Sequence, residues 1–111
     1  KISISGKYSL NKGEEHKFNL SQELQFKANS RRNKLLGLWL SEQHFGLQGS
    51  EAQEYANELV MLDLDAPGID NVVVKILTDA EKHACNLTED LLHSKISALQ
   101  KVAEEEIKSE G

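Results

Sequence analysis

The chain is short of several residue types, and each shortage excludes something. Its 111 residues include one cysteine, Cys85, so no disulfide can close within the chain. A lone thiol predicts a reducing compartment, the cytoplasm. One proline and a 5% aromatic fraction are too few for a many-stranded sheet protein. No apolar run approaches the length of a bilayer span, so the protein is not expected to be membrane-embedded. No basic n-region, apolar h-region and small-residue cleavage site follow one another, which argues against secretion. No glycine-rich phosphate loop occurs. The length suits one domain and leaves no room for a large α/β nucleotide-binding fold.

What is present suits helices. A 39% hydrophobic and 28% charged composition fits a helical domain and not a disordered chain. The formal net charge of −5 is unevenly spread. Residues 1–46 hold eight Lys or Arg against four Glu, a net of +4, and residues 47–111 hold five Lys against fourteen acids, a net of −9. Such a basic front and acidic back can orient a molecule against a charged partner, or can be ordinary helix surface. Net acidity argues against nucleic acid as a partner.

Residues 1–13 combine serines, two glycines and lysines with no sustained apolar stripe, which predicts a flexible N-terminal arm. A helical pattern builds from Glu14, with Leu20, Leu24, Ala28, Leu35, Leu38 and Trp39 recurring near every 3.6 residues, and stops at Gly46. Ser50, with Gln53 three residues on, reads as a capping box for a second helix carrying Ala52, Tyr55, Ala56, Leu59, Val60 and Leu62. Pro67 and Gly68 end it. Asp70 is expected to cap a third helix with a stripe of Val73, Ile76, Leu77 and Ala80 that continues to Ala84. The run Val72–Leu77 would pass as a strand alone, but helical spacing and the lack of a partner strand favour helix. Asn86 or Thr88 caps a fourth helix, striped by Leu92, Ile96, Leu99, Ala103 and Ile107. The expected fold is all-α, a four-helix bundle over residues 20–111 preceded by a mobile arm over residues 1–19.

Candidate chemistry is sparse. His16, His44, His83 and His93 never stand four residues apart, and His83 and Cys85, two apart, fall on different helix faces. Neither a metal site nor a cofactor is expected. Glu104, Glu105 and Glu106 read as a solvated helix face, and Cys85 as a small half-buried residue. No enzyme is expected. The densest feature is Arg31, Arg32, Asn33, Lys34, Leu35, Leu36, Gly37, Leu38 and Trp39, in which three cations precede a compact apolar block. Gly37 inside a helix costs about 1 kcal/mol relative to Ala. Close approach by another helix would explain it. Trp39 is then expected to anchor the core. The other reading is a generic basic amphipathic helix for a membrane surface or a peptide-binding partner. In the arm, Lys7, Tyr8, Leu10, Lys12, Lys17 and Phe18 offer apolar anchors and steering charge to an interface.

Phe26-Lys27-Ala28, the block from Arg31 to Trp39, Gly46, Gly49, Ala52 and Tyr55-Ala56 together resemble the zeta-type inhibitor subunit of the alphaproteobacterial F1-ATPase. The resemblance covers roughly residues 15–107. It implies a non-catalytic regulator whose arm turns helical and enters a catalytic α/β interface of F1 near γ, blocking ATP hydrolysis while largely sparing synthesis. The implied partners are the α, β and γ subunits, the implied place the inner face of the membrane, and the free protein is expected to be monomeric. By position the arm contacts would be Tyr8, Leu10, Lys12, Glu15, Lys17 and Phe18. Glu15, Lys17 and Phe18 match a Glu-x-Lys-Phe element of the family. The family's preceding Arg-Glu pair is absent, and Leu10, Asn11, Lys12 and Gly13 stand around its place. The family also suggests weak adenine-nucleotide binding on the bundle, for which Arg31, Arg32 and Lys34 are the cations able to attract phosphate. The alternative function is a stand-alone helical module that binds a protein or an anion without inhibiting.

Overall fold

Ser21 starts the first helix: its hydroxyl oxygen accepts the Leu24 N–H at 3.2 Å, satisfying a donor that the first turn leaves orphaned. The computed structural model describes residues 20–110, in which α1 runs Gln22–Leu40, α2 Ser50–Asp65, α3 Ile69–Lys82 and α4 Glu89–Glu110. The expected helical residues Glu14–Asn19 lie outside the described residues. α1 passes into one π-helical turn, Ser41–Phe45, which the residue pattern does not announce. Gly46, at φ 68, then closes it in the left-handed conformation expected of a C-terminal glycine.

Two expected caps are not formed. Ser50 is already the first helical residue of α2, and Gly49, at φ 60, takes the cap position, so the Ser50–Gln53 box does not assemble. Asp70 lies inside the first turn of α3, where its charge faces the positive end of the helix dipole, and Gly68 precedes the helix. The α2–α3 loop is held instead by Asp63, which accepts the Gly68 N–H at 3.0 Å, and by Asn71, which donates to the Ala66 carbonyl at 2.9 Å. Residues 72–77 are helical, as the spacing predicts. α3 stops at Lys82, and Ala84 turns away at φ 52, exposed, so the stripe ends at Ala80. Thr88 caps α4, its hydroxyl accepting the Leu91 N–H at 3.1 Å.

α1 packs on α2 and α4, and α3 packs on the same two helices, which closes a four-helix bundle. The main apolar cluster gathers Leu36, Leu40, Phe45, Tyr55, Leu59, Val72, Ile76, Leu92 and Ile96. A smaller one joins Ala28, Ala103 and Ile107, with Leu20 and Leu24 against them. The stretches Asn29–Asn33 of α1 and Ser97–Gln100 of α4 separate the two clusters. A polar layer fills that gap.

Candidate interaction site

The nine-residue block of α1 is mostly architecture. Arg32, Asn33, Leu36 and Gly37 are buried; Arg31, Leu35, Leu38 and Trp39 are half-buried; Lys34 is exposed. The buried row is Ala28, Arg32, Leu36 and Leu40, one helical turn apart each time. This is a different face from the expected row of Leu35, Leu38 and Trp39. Trp39 therefore does not anchor the core. It borders it, with the His44 ring edge-on at 4.8 Å and the Lys95 ammonium 4.8 Å above its face. Gly37 is explained as expected, by close helix approach. A Cβ built there would lie 2.5 Å from Ala56 Cα and 3.0 Å from its Cβ.

The three cations of the block do three different things. Arg31 forms a bidentate pair with Glu110 and a further contact to Glu106 at 3.2 Å. These bonds, Glu110 first, raise the Arg31 pKa, and the bond to Arg31 lowers that of Glu110. Arg32, only 5% exposed, belongs to the polar layer. Its guanidinium donates to Gln100 at 2.8 Å, to Asn33 at 2.9 and 3.1 Å, and to Asp63 at 3.4 Å. Burial lowers the Arg32 pKa and the Asp63 charge opposes that. Lys34 alone points its charge freely at solvent. The three cations therefore do not gather into one phosphate-binding cluster.

Several residues of the layer carry no obvious signal along the chain. Asp63 accepts from Asn33 at 2.9 Å as well as from Arg32 and the Gly68 backbone. Glu104 is 7% exposed, a correction to its reading as solvated. It accepts from Gln100 at 2.8 Å and Gln25 at 3.4 Å, and both of those amides also donate to Asn29 at 3.2 Å. Polar residues at helical spacing on an otherwise apolar face (Gln25, Asn29 and Arg32 on α1; Gln100 and Glu104 on α4) were the one available signal. A second polar cluster joins α2 to α3. The Tyr55 hydroxyl donates to buried Asp79 at 2.9 Å, and Lys75 contacts Asp79 and Glu58, each at 3.1 Å. Burial first, then the bond to Asp79, pushes the Tyr55 phenol far above its ordinary value.

The arm candidates Tyr8, Leu10, Lys12, Glu15, Lys17 and Phe18 lie outside the described residues. Leu20, the first described residue, packs beside Ala103 and Ile107, which fixes where the arm joins the bundle. On that end a cleft of about 480 Å³ opens between α1 and α2, lined by Phe26, Lys27, Arg31, Lys34 and Val60, with Ile107 and Glu110 of α4 at its side.

The sequence matches a family model described as ATPase inhibitor subunit zeta over residues 9–106. The chain belongs to that zeta family. A solved solution NMR structure is 38% identical, covering 79% of this chain and 99% of its own, with a TM-score of 0.67. No curated protein sequence matches the chain. The zeta family match takes in the arm positions Leu10, Lys12, Glu15, Lys17 and Phe18 and stops short of Tyr8. It spans the whole block from Arg31 to Trp39, of which Arg32, Asn33, Leu36 and Gly37 form the packing seam of the bundle. Among the described residues, no helix is long and apolar enough to cross a membrane.

Proposed function

We propose that this zeta-family chain is a non-catalytic inhibitor of the F1-ATPase, working by insertion of its N-terminal arm at a catalytic α/β interface near γ. The observation that carries this reading is the family match, which begins in the arm at residue 9 and runs through the bundle to residue 106. Two segments with different physics support it. Residues 20–110 hold two apolar clusters of their own, enough to close a bundle. Residues 1–19 hold four Lys, two Glu and the anchors Tyr8, Leu10 and Phe18, a composition suited to ordering on a partner. Ordering that arm has an entropy cost, which Gly13 raises, so the bundle acts by holding the arm near its slot. The free protein is monomeric and meets the ATPase at the cytoplasmic face of the membrane.

Hydrolysis by purified F1 tests this with three proteins: the full chain, the chain lacking residues 1–13, and the Lys17→Ala/Phe18→Ala variant. The full chain is expected to inhibit, the truncation to lose most inhibition, and the double variant to be weakened, all with unchanged helical circular dichroism. Equal inhibition by the truncated and full chains would exclude arm insertion. Binding of both to F1 with inhibition by neither would make the protein a binding module.

A further inference from the structure

The cleft between α1 and α2 is more than a gap left by packing. Phe26, which lines it, is 54% exposed, and Leu64 is 42% exposed. Val60 and Leu64 stand one turn apart on one side of α2. Phe26 also lines a smaller recess with Leu64 and Pro67, so the apolar floor continues past the cleft. Apolar side chains exposed together at a groove mark an interaction surface more often than chance exposure does. Facing them, Lys27, Arg31 and Lys34 form a ridge on α1 at spacings of four and three, about 10 Å long at the helical rise. Arg31 is paired with Glu106 and Glu110, whereas Lys27 and Lys34 form no ion pair among the described residues.

We propose that this cleft docks an acidic amphipathic helix of the ATPase, its apolar side on Phe26, Val60 and Leu64 and its carboxylates on Lys27 and Lys34. This rests on the function proposed above. An apolar floor with a cationic wall two turns long is the complement of a helix with apolar residues on one face and acids at its edge. The protein's own arm does not fit, because residues 1–19 hold four Lys against two Glu and bring like charge to the ridge. The position agrees. Leu20 seats the arm's exit beside Ile107, which also lines the cleft, so an arm engaged in the ATPase turns this end of the bundle toward the same partner. The docking adds a second, weaker contact that raises the arm's effective concentration at its slot.

Binding of the full-length protein to purified F1-ATPase, at low and moderate salt, tests the proposal. Lys27→Glu/Lys34→Glu and Phe26→Ser/Leu64→Ser are each expected to lower affinity about tenfold, the first with a flatter salt dependence. Both pairs are exposed, and thermal melts of the variants are expected to overlay the parent. Benzoylphenylalanine in place of Leu64 is expected to crosslink to an acidic helical segment of the ATPase. Unchanged affinity in both variants overturns the docking while leaving arm insertion standing. A crosslink to residues 1–19, to a second copy or to a non-acidic segment also overturns it. If the parent protein does not bind F1 at all, the function proposed above fails, and the docking fails with it.

Discussion

A methyl group at Gly37 has nowhere to go. The atom it would meet first, Ala56 Cα at 2.5 Å, is backbone and cannot rotate aside. Gly37→Ala gains helix propensity of about 1 kcal/mol and loses more to the forced separation of α1 and α2, typically about 1–3 kcal/mol. Urea denaturation is expected to show net destabilisation. Ala56→Gly in the same chain should not rescue it, because the Cα remains. Tyr55 makes a different prediction, about alkaline pH. Its phenol is held protonated in the fold above the ordinary value of 10.0, by burial and then by Asp79. Above that pH the unfolded chain gives up a proton that the folded chain keeps. The stabilisation is therefore complete below pH 10 and is lost as pH rises beyond it. Lys75 acts in the same direction. Burial works against its charge, but the bonds to Glu58 and Asp79 outweigh that and raise its pKa. Tyr55→Phe is expected to lose about 1 kcal/mol at neutral pH, for one hydrogen bond, and to show a shallower decline in melting temperature above pH 10.

Among the elements, helix starts depended on the backbone of the residue before them. Ser21 and Thr88 enter their helices with hydroxyls placed to accept a backbone N–H. Ser50 and Asp70 have equally suitable side chains, but Gly49 and Gly68, both at positive φ, occupy the cap positions and leave Ser50 one residue and Asp70 two residues too far in. Between helices, the polar layer links α1, α2 and α4 through Arg32, Asp63 and Gln100. Removing one partner of a buried charge costs more than replacing both, because the survivor stays desolvated. Asp63→Ala is expected to destabilise by about 3 kcal/mol, with the Arg32 charge left behind. Arg32→Met combined with Asp63→Leu should recover part of that loss in the same urea series, the remainder reflecting the bonds that Asp63 also accepts from buried Asn33 and from Gly68.

At the scale of the whole molecule, two apolar clusters are stacked along the bundle within the described residues, and on that ground residues 20–111 are expected to fold without the arm. The piece lacking residues 1–19 is expected to unfold in one cooperative step, with a melting temperature within about 4 °C of the full chain, a margin that corresponds to under about 1 kcal/mol. A larger drop in calorimetry would mean that the arm contributes to the core. In the function proposed above, the arm serves inhibition and the cleft beside its exit serves affinity. The two properties are expected to separate by deletion and by charge reversal.

Periodicity and punctuation alone determined that the described residues make four helices. Gly46, Pro67-Gly68 and Thr88 break it at places where the backbone leaves helical angles, and the apolar stripes between them repeat near 3.6 residues. Gly37 also announced its reason, since a glycine kept inside a helix implies close contact. In α2, α3 and α4 the expected stripes are the buried ones, among them Tyr55 and Leu59, Val73 and Ile76, and Leu92 and Ile96, whereas the inward face of α1 was left to tertiary structure. In α1, Leu35, Leu38 and Trp39 and the row Leu36 and Leu40 are both spaced as helix faces, and only the position of α2 against Gly37 selects the second. The polar layer was equally out of reach, because its bonds join residues far apart in sequence: 79 positions between Gln25 and Glu104, and 68 between Arg32 and Gln100. A side chain's local neighbours tell whether it can be helical. Whether Glu104 meets water or an amide depends on which helix packs across from it.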